Sequence, residues 1–209
     1  RMVLQMWDAK EDLLSSSKDV PCNTQIYFKA RPLYLKKPSD YEMKLEDYYL
    51  DMTVTNRSND LIWGMFGANA VHFSVLQEYV ASMVGMKIGQ YWQVSNNAHV
   101  YMDVWEPLEK KLPQGIAPDL YEIGKVKTEK LIDNCETFDK ELQIFFDWLH
   151  KGKSFMGYKN YIFSKTAIPM VEAWWLWKEK MINEAVDKAR EIKALDWRKA
   201  CVEWLERKK

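Results

Sequence analysis

The spacing of the apolar residues changes partway along the chain, and this change restricts the fold more than any other feature. From Tyr48 to Thr55 apolar and polar residues alternate and β-branched side chains are frequent, the pattern of a strand with one buried face. From Leu131 to Leu149 the apolar positions Leu131, Cys135, Phe138, Leu142, Phe145 and Leu149 recur at spacings of four and three, the stripe of a core-facing helix. Strand patterns also cover residues 1–7, 24–31 and 90–102, and a helix is expected over 70–84 with Gly85 as its C-terminal cap. The polar stretch 33–47, with Lys36-Lys37-Pro38-Ser39-Asp40, reads as a loop or hairpin insertion. Beyond about Trp105 the patterns are helical. Met170, Trp174, Trp177 and Met181 begin one helix, and Leu195, Cys201, Trp204 and Leu205 mark a last short one with Asp196 as candidate N-cap. An α+β fold follows, with the strands in residues 1–105 and a helical portion, 106–209, packed on the same domain.

Composition narrows the function classes. Ten Trp, eleven Tyr and eight Phe in 209 residues can bury a large core, and a net charge of zero argues against a dedicated nucleic-acid binder. No apolar run approaches the roughly 20 residues of a membrane helix, and no signal peptide is visible. A cytoplasmic protein without a membrane or nucleic-acid partner is expected. Cys22, Cys135 and Cys201 are odd in number and far apart, which suggests reduced thiols. Cys135 and Cys201 fall on helical stripes and read as packing residues. His72, His99 and His150 share no metal-ligand spacing with any cysteine, so no metal is expected. The chain opens at Arg1, without Met, directly into the apolar run Met2 to Trp7, and a preceding segment is expected.

Cys22 differs from the other thiols because it follows Pro21 at the mouth of a strand. Three further polar clusters accompany it: Asn56-Arg57-Ser58-Asn59-Asp60, the turn from Gly64 to Asn69, and Ser95-Asn96-Asn97-Ala98-His99-Val100-Tyr101. A single Arg-Ser pair after a strand is usually just solvated. The specific signal lies in the order and spacing of all four clusters.

Over residues 1–105 these clusters resemble the thymidylate synthase superfamily. That family has a Pro-Cys nucleophile, a Gln-Arg-Ser-x-Asp run, a Gly-x-x-x-Asn turn leading into a long helix, and a Gly-rich stretch ending in His-x-Tyr. The resemblance implies a large twisted mixed sheet with helices, here followed by a C-terminal helical extension. It implies transfer of one carbon from 5,10-methylenetetrahydrofolate, as cosubstrate, to C5 of a pyrimidine nucleotide, most simply dUMP to dTMP. A dUMP or dCMP 5-hydroxymethylase is the rival reading. A non-catalytic member that binds only a nucleotide or a partner is the reading from another class.

By the same resemblance Cys22, Arg57 and Asn69 are the catalytic residues. Arg1, Arg57, Ser58, Asn69, His99 and Tyr101 bind the nucleotide, Asp60 orients the folate, and Arg1 reaches the phosphate site of the other subunit in a homodimer. The chemistry suits these residue types. A pyrimidine C5 becomes nucleophilic only after addition at C6, which a thiolate can perform. A thiol of pKa about 8.5 is only slightly ionised at neutral pH, and a nearby guanidinium such as Arg57 favours the thiolate. Guanidinium also matches phosphate in a bidentate manner. The amide of Asn69 can accept from N3–H and donate to O4 of uracil, where cytosine presents the opposite pattern. His99 and Tyr101 alternate on a strand and so face one side, toward the sugar 3′-hydroxyl.

The chain also departs from the pattern. Asn23 replaces the usual histidine after the nucleophile, and Ser95-Asn96-Asn97 replaces Gly-Gly-Asp. The turn from Gly64 to Asn69 is one residue longer than the family spacing. The family's upstream glutamate would precede Arg1. In place of a short apolar tail the chain runs into Trp-rich helices ending Glu206-Arg207-Lys208-Lys209. Closure over the site decides whether the C5 intermediate takes hydride or water, so both methyl and hydroxymethyl products stay open.

Overall fold

The alternation along Tyr48–Asn56 buries Leu50, Met52 and Val54 on one side of a strand, and the rest of the first unit is arranged around that row. The computed structural model describes residues 2–14, 20–34, 40–112, 115, 119–151 and 157–208. Contacts divide the chain into two compact units, Arg1–Gln114 and Gly115–Lys209.

In the first unit the strands are β1 (Met2–Gln5), β2 (Asn23–Pro32), β3 (Tyr48–Asn56), β4 (Asn59–Asp60), β5 (Lys87–Ser95) and β6 (Ala98–His99). Its helices are α1 (Ala9–Asp12), α2 (Asn69–Val84) and α3 (Met102–Glu109). The main sheet runs β1-β2-β3-β5, antiparallel except for the β3–β5 pair, which is parallel. A parallel pair needs a crossover, and α2 supplies it. Phe73, Gln77 and Ala81, four apart on α2, are buried against Ile26, Phe28, Leu50, Met52 and Val54. Gln77 donates to the carbonyls of Leu50 (2.8 Å) and Gln90 (3.2 Å), which ties the helix across both parallel strands. Gly85 ends α2 in the left-handed conformation, φ 72° and ψ 26°, as its position in the sequence predicts.

Three expectations for this unit change. The strand over 90–102 is in fact β5, a break at Asn96-Asn97, the two-residue β6, and then helix α3 from Met102. The chain turns there because Asn96 N–H donates to the Asn56 carbonyl and the Asn97 carbonyl accepts from Asn59 N–H. Among the described residues the strand over 1–7 covers Met2–Gln5 and has ended by Met6. The loop at 33–47 contains a 3₁₀ turn at Leu45–Asp47, and residues 35–39 lie outside the described residues.

The second unit consists of α4 (Cys135–Lys151), α5 (Ile168–Lys178), α6 (Ile182–Arg190) and α7 (Leu195–Glu206). One core joins Ala173, Ala185, Val186, Ala189, Ile192 and Leu205. A second contact zone is aromatic, with Phe163 packed at a tilt against Phe138 and Phe145 at ring distances of 5.2 and 5.7 Å. Cys201 packs against the alanine-rich core, and burial pushes its thiol pKa up, in keeping with a packing role. Cys135 is exposed at the first residue of α4, so the packing role expected of it fails: the stripe begins before the helix does. Asp196 is not the cap of α7. Ala194 is, and the Asp196 carboxylate sits in the first turn, where it suits the helix dipole. Among the described residues no helix is long and apolar enough to cross a membrane.

Candidate active site

Strand pairing brings three of the four polar clusters to one end of the sheet. Asn23, the first residue of β2, pairs with Asn56, the last of β3, and Asn56 pairs with Ser95, the last of β5. Cys22, Arg57 and Asn96 therefore leave the sheet side by side. Arg57 holds the approach to Cys22 from three directions. Its Nε donates to the Pro21 carbonyl and its Nη2 to the Val20 carbonyl, both at 3.0 Å, while its backbone N–H donates to the Cys22 carbonyl at 2.9 Å. The guanidinium also lies over the Trp7 ring at 5.4 Å. The half-buried Cys22 thiol points toward the Val20 carbonyl at 4.0 Å. The guanidinium thus spends its hydrogen bonds on the backbone leading into Cys22 and not on the sulfur. Among the described residues its Nη1 has no partner, and the side chain is exposed.

Beyond Arg57 the clusters continue to converge. Ser58 Oγ stands 3.4 Å from His99 Nδ1, because β4 and β6 pair Asp60 with His99. The strand ends at His99, and Tyr101 is the exposed, extended cap of α3. The two rings still meet edge to face at 5.2 Å, so they share one side even though they do not share one strand. Asp60 caps the following turn, with Oδ1 accepting from Trp63 N–H at 2.5 Å, while its Oδ2 is buried without a hydrogen-bond partner among the described residues. Arg1 lies outside the described residues.

The extra residue between Gly64 and Asn69 has a structural counterpart. Leu61–Ala68 forms π-type turns broken by the non-helical Gly67, and Asn69 N–H donates to the Gly64 carbonyl five residues back. A π turn holds one more residue than an α turn, so the added residue is absorbed locally and Asn69 still opens α2. Its side chain donates to Asn59 Oδ1 at 3.1 Å.

That contact belongs to a chain of side chains whose partners are distant in sequence. Asn23 Nδ2 donates to Asn56 Oδ1 at 2.5 Å, and Asn56 Nδ2 to Ser95 Oγ at 3.4 Å. Asn59 Nδ2 reaches Ser95 Oγ at 3.3 Å and Gln93 Oε1 at 3.0 Å, and Gln93 Nε2 donates to the Met65 carbonyl at 2.8 Å. Asn56 and Asn59 are 4% and 1% exposed, and buried amides of this kind are costly unless hydrogen-bonded. Asn23 and Ser95, which depart from the family pattern, are thus members of one network. Local spacing does not mark Asn59 or Gln93. Their signal is the density of carboxamides at strand ends that should carry apolar side chains.

Known proteins share this sequence pattern. The thymidylate synthase family model matches residues 1–145. The chain is 38% identical over 221 residues to the deoxyuridylate hydroxymethyltransferase of Pseudomonas phage M6, an alignment covering 100% of this chain and 58% of that protein. It is 38% identical over 93 residues to the deoxyuridylate hydroxymethyltransferase of Bacillus phage SP01, covering 44% of this chain and 20% of the relative. The thymidylate synthase of Streptococcus pyogenes serotype M5 (strain Manfredo) is 32% identical over 123 residues, covering 57% of this chain and 39% of that enzyme. A solved structure of thermostable thymidylate synthase A from Bacillus subtilis aligns with TM-score 0.44 and 20% identity over 66% of this chain and 41% of that one. The chain spans at most 58% of the length of these curated relatives. With the family model covering residues 1–145 of 209, this chain belongs to the thymidylate synthase family.

Proposed function

We propose that the chain carries the catalytic core of an enzyme transferring one carbon to C5 of dUMP, with 5-hydroxymethyl-dUMP as product. The observation that carries the reading is the clamp on Cys22, whose flanking carbonyls are held by the Arg57 side chain and backbone. A packing cysteine gains nothing from such a clamp. A nucleophile gains a fixed direction of attack.

In this reading the Cys22 thiolate forms a bond to C6 of the uracil ring, and the C5–C6 electron pair moves toward C5 and O4. Asn69 donates to O4, where negative charge develops, and accepts from N3–H. The unpaired Nη1 of the exposed Arg57 offers a donor to the nucleotide phosphate, and Ser58 adds a hydroxyl. His99 and Tyr101, in ring contact, hold the sugar. Asp60 is the residue that would hold 5,10-methylenetetrahydrofolate: among the described residues its Oδ2 has no hydrogen-bond partner, which an N–H donor of the pterin would supply. That cosubstrate supplies the carbon unit at the oxidation level of formaldehyde. Pairing of two copies through the sheet, with Arg1 serving the partner's phosphate site, completes the proposal, and the site residues lie within 1–105.

The hydroxymethyl product is supported by the phage M6 relative, whose alignment runs through the helical unit as well as the sheet. The methyl product, dTMP, is the second reading. It is supported by the family model's name and by the streptococcal relative, which matches 57% of the chain.

Incubation of the full chain with dUMP and methylenetetrahydrofolate, followed by mass spectrometry of the nucleotide, separates the readings. Hydroxymethyl-dUMP with tetrahydrofolate is the expected pair; dTMP with dihydrofolate indicates the second reading. Cys22→Ala is expected to lower turnover by about a thousandfold or more and to abolish the covalent adduct with 5-fluoro-dUMP. Absence of that adduct on the unaltered chain, with nucleotide affinity unchanged by Cys22→Ala, would leave a non-catalytic binding protein.

A further inference from the structure

The amide chain that ends on Asn69 has a direction, and the direction begins at a backbone carbonyl. A carbonyl oxygen only accepts, so the group that Gln93 presents to Met65 must be its NH₂ (2.8 Å). Gln93 Oε1 is then turned toward Asn59 and must receive Asn59 Nδ2 (3.0 Å). Asn59 Oδ1 is left facing Asn69 and takes the Asn69 NH₂ at 3.1 Å. Each amide is oriented by the one before it. Gly64 keeps the last contact open, since a Cβ there would overlap Asn59 Oδ1 and stand 3.1 Å from Asn69 Nδ2.

We propose that Gln93 and Asn59 are specificity-determining positioning residues, which fix the amide of Asn69 so that it accepts uracil and rejects cytosine. The inference rests on the reading above that Asn69 meets the pyrimidine edge. Uracil offers a donor at N3 and an acceptor at O4; cytosine offers an acceptor at N3 and a donor at N4. With one Asn69 N–H committed to Asn59, the second N–H faces O4 and Oδ1 faces N3–H. Binding cytosine requires Asn69 to turn over, which sets its Oδ1 against Asn59 Oδ1. Relief would require Asn59 and then Gln93 to turn as well, and Gln93 Oε1 would finally oppose the Met65 carbonyl. Asn59 is 1% exposed, so water does not relieve the opposition on its behalf. Selectivity for the base is therefore held by a residue on β5, two side chains away from the nucleotide.

The test is the ratio of dUMP to dCMP affinity, measured by calorimetry on the full chain without folate. Gln93→Leu removes both ends of the orienting group and is expected to lower the ratio by roughly tenfold or more. Gln93→Glu, protonated, donates its O–H to the Met65 carbonyl and accepts from Asn59 Nδ2, and at a pH low enough to protonate it is expected to restore most of the preference. A purely structural role predicts that both variants lower stability and leave the ratio unchanged, and that outcome overturns the proposal. Asn69→Leu is the control on the underlying reading: if it leaves the ratio unchanged, Asn69 does not read the base and the relay falls with it. If Asn69→Leu collapses the ratio and Gln93→Leu does not, the relay alone is wrong. In the unaltered protein the side-chain NH₂ signals of Asn59 and Gln93 are expected to exchange slowly with solvent. Exchange at the rate of exposed amides overturns the proposal without any variant.

Discussion

Gly64 is a residue at which the site tolerates little change. Its missing side chain leaves room for the Asn59–Asn69 contact, and no neighbouring glycine in the turn has that role. Gly64→Ala is expected to displace Asn59 at a cost of about 1–3 kcal/mol, the usual range for overpacking a filled interior. Thermal unfolding reads that loss. Calorimetry with dUMP is expected to show an affinity drop of about tenfold, as Asn69 loses its orienting partner. An unchanged dUMP affinity would detach Asn69 from nucleotide binding. At this scale the candidate site is legible where its residues are neighbours in sequence: Pro21-Cys22, Arg57-Ser58 and His99-x-Tyr101 each stand out as polar clusters that the structure brings to one end of the sheet. Asn59 and Gln93 do not, because their meaning depends on the register of β3 and β5, which places residues 34 positions apart in hydrogen-bond contact. Asn23 illustrates both cases. In sequence it is an unexplained replacement for histidine, and in the sheet it is the amide partner of Asn56.

At the scale of elements, α4 shows how the helical unit holds its connections in place. Glu141 on α4 is buried, as is Asn160 in the segment leading to α5. Glu141 Oε2 accepts from Asn160 N–H at 3.0 Å and from Asn160 Nδ2 at 3.1 Å, and Oε1 from Lys159 N–H at 3.2 Å. Asn160 Oδ1 in turn accepts from the backbone N–H groups of Asp133 and Asn134. Burial acts to raise the Glu141 pKa, but the Asn160 N–H, the Thr137 hydroxyl, the Asn160 amide and the Lys159 N–H outweigh it and hold the pKa below the ordinary value of 4.5. A carboxyl lowered on folding contributes its stability fully above the unfolded pKa and loses it as pH falls through the folded one. Stability of the helical unit, followed by tryptophan fluorescence, is therefore expected to be flat from neutrality to about pH 5 and to decline below it. Glu141→Gln is expected to cost about 1–3 kcal/mol at neutral pH and to reduce that decline. An unaltered acid limb in Glu141→Gln would assign the decline to other carboxylates. The amphipathic stripe of α4 is plain in the sequence. The Glu141–Asn160 link is not, because a glutamate on a helix reads as solvent-facing until the segment that covers it is known.

At the scale of the whole molecule, the change in apolar spacing along the chain was enough to separate a sheet-forming unit from a helical one. It left open what would cover the sheet. One face is buried by α2, and on the other the described residues include large apolar side chains that are exposed. Val3, Tyr27, Thr53 and Trp92 align across the four strands of the main sheet, with Val3, Tyr27 and Trp92 exposed at 56%, 40% and 55%, and Val94 two residues on is exposed at 56%. Exposed apolar side chains lined up across neighbouring strands in this way mark an interface. A second copy of the chain is the occupant proposed here, the same pairing in which Arg1 is proposed to serve the partner's phosphate site. Trp92→Glu places a charge in the middle of that face, where pairing would leave it buried and unpaired. Sedimentation is expected to find the unaltered chain dimeric at micromolar concentration and the Trp92→Glu chain monomeric, with its fold retained because the substituted side chain points away from α2. The monomer is expected to bind dUMP more weakly, by the contribution of the partner's Arg1, and an Arg1→Ala dimer should show the same deficit. If Trp92→Glu separates the chains and leaves dUMP affinity intact, the sheet face is an interface but each site is complete within its own chain.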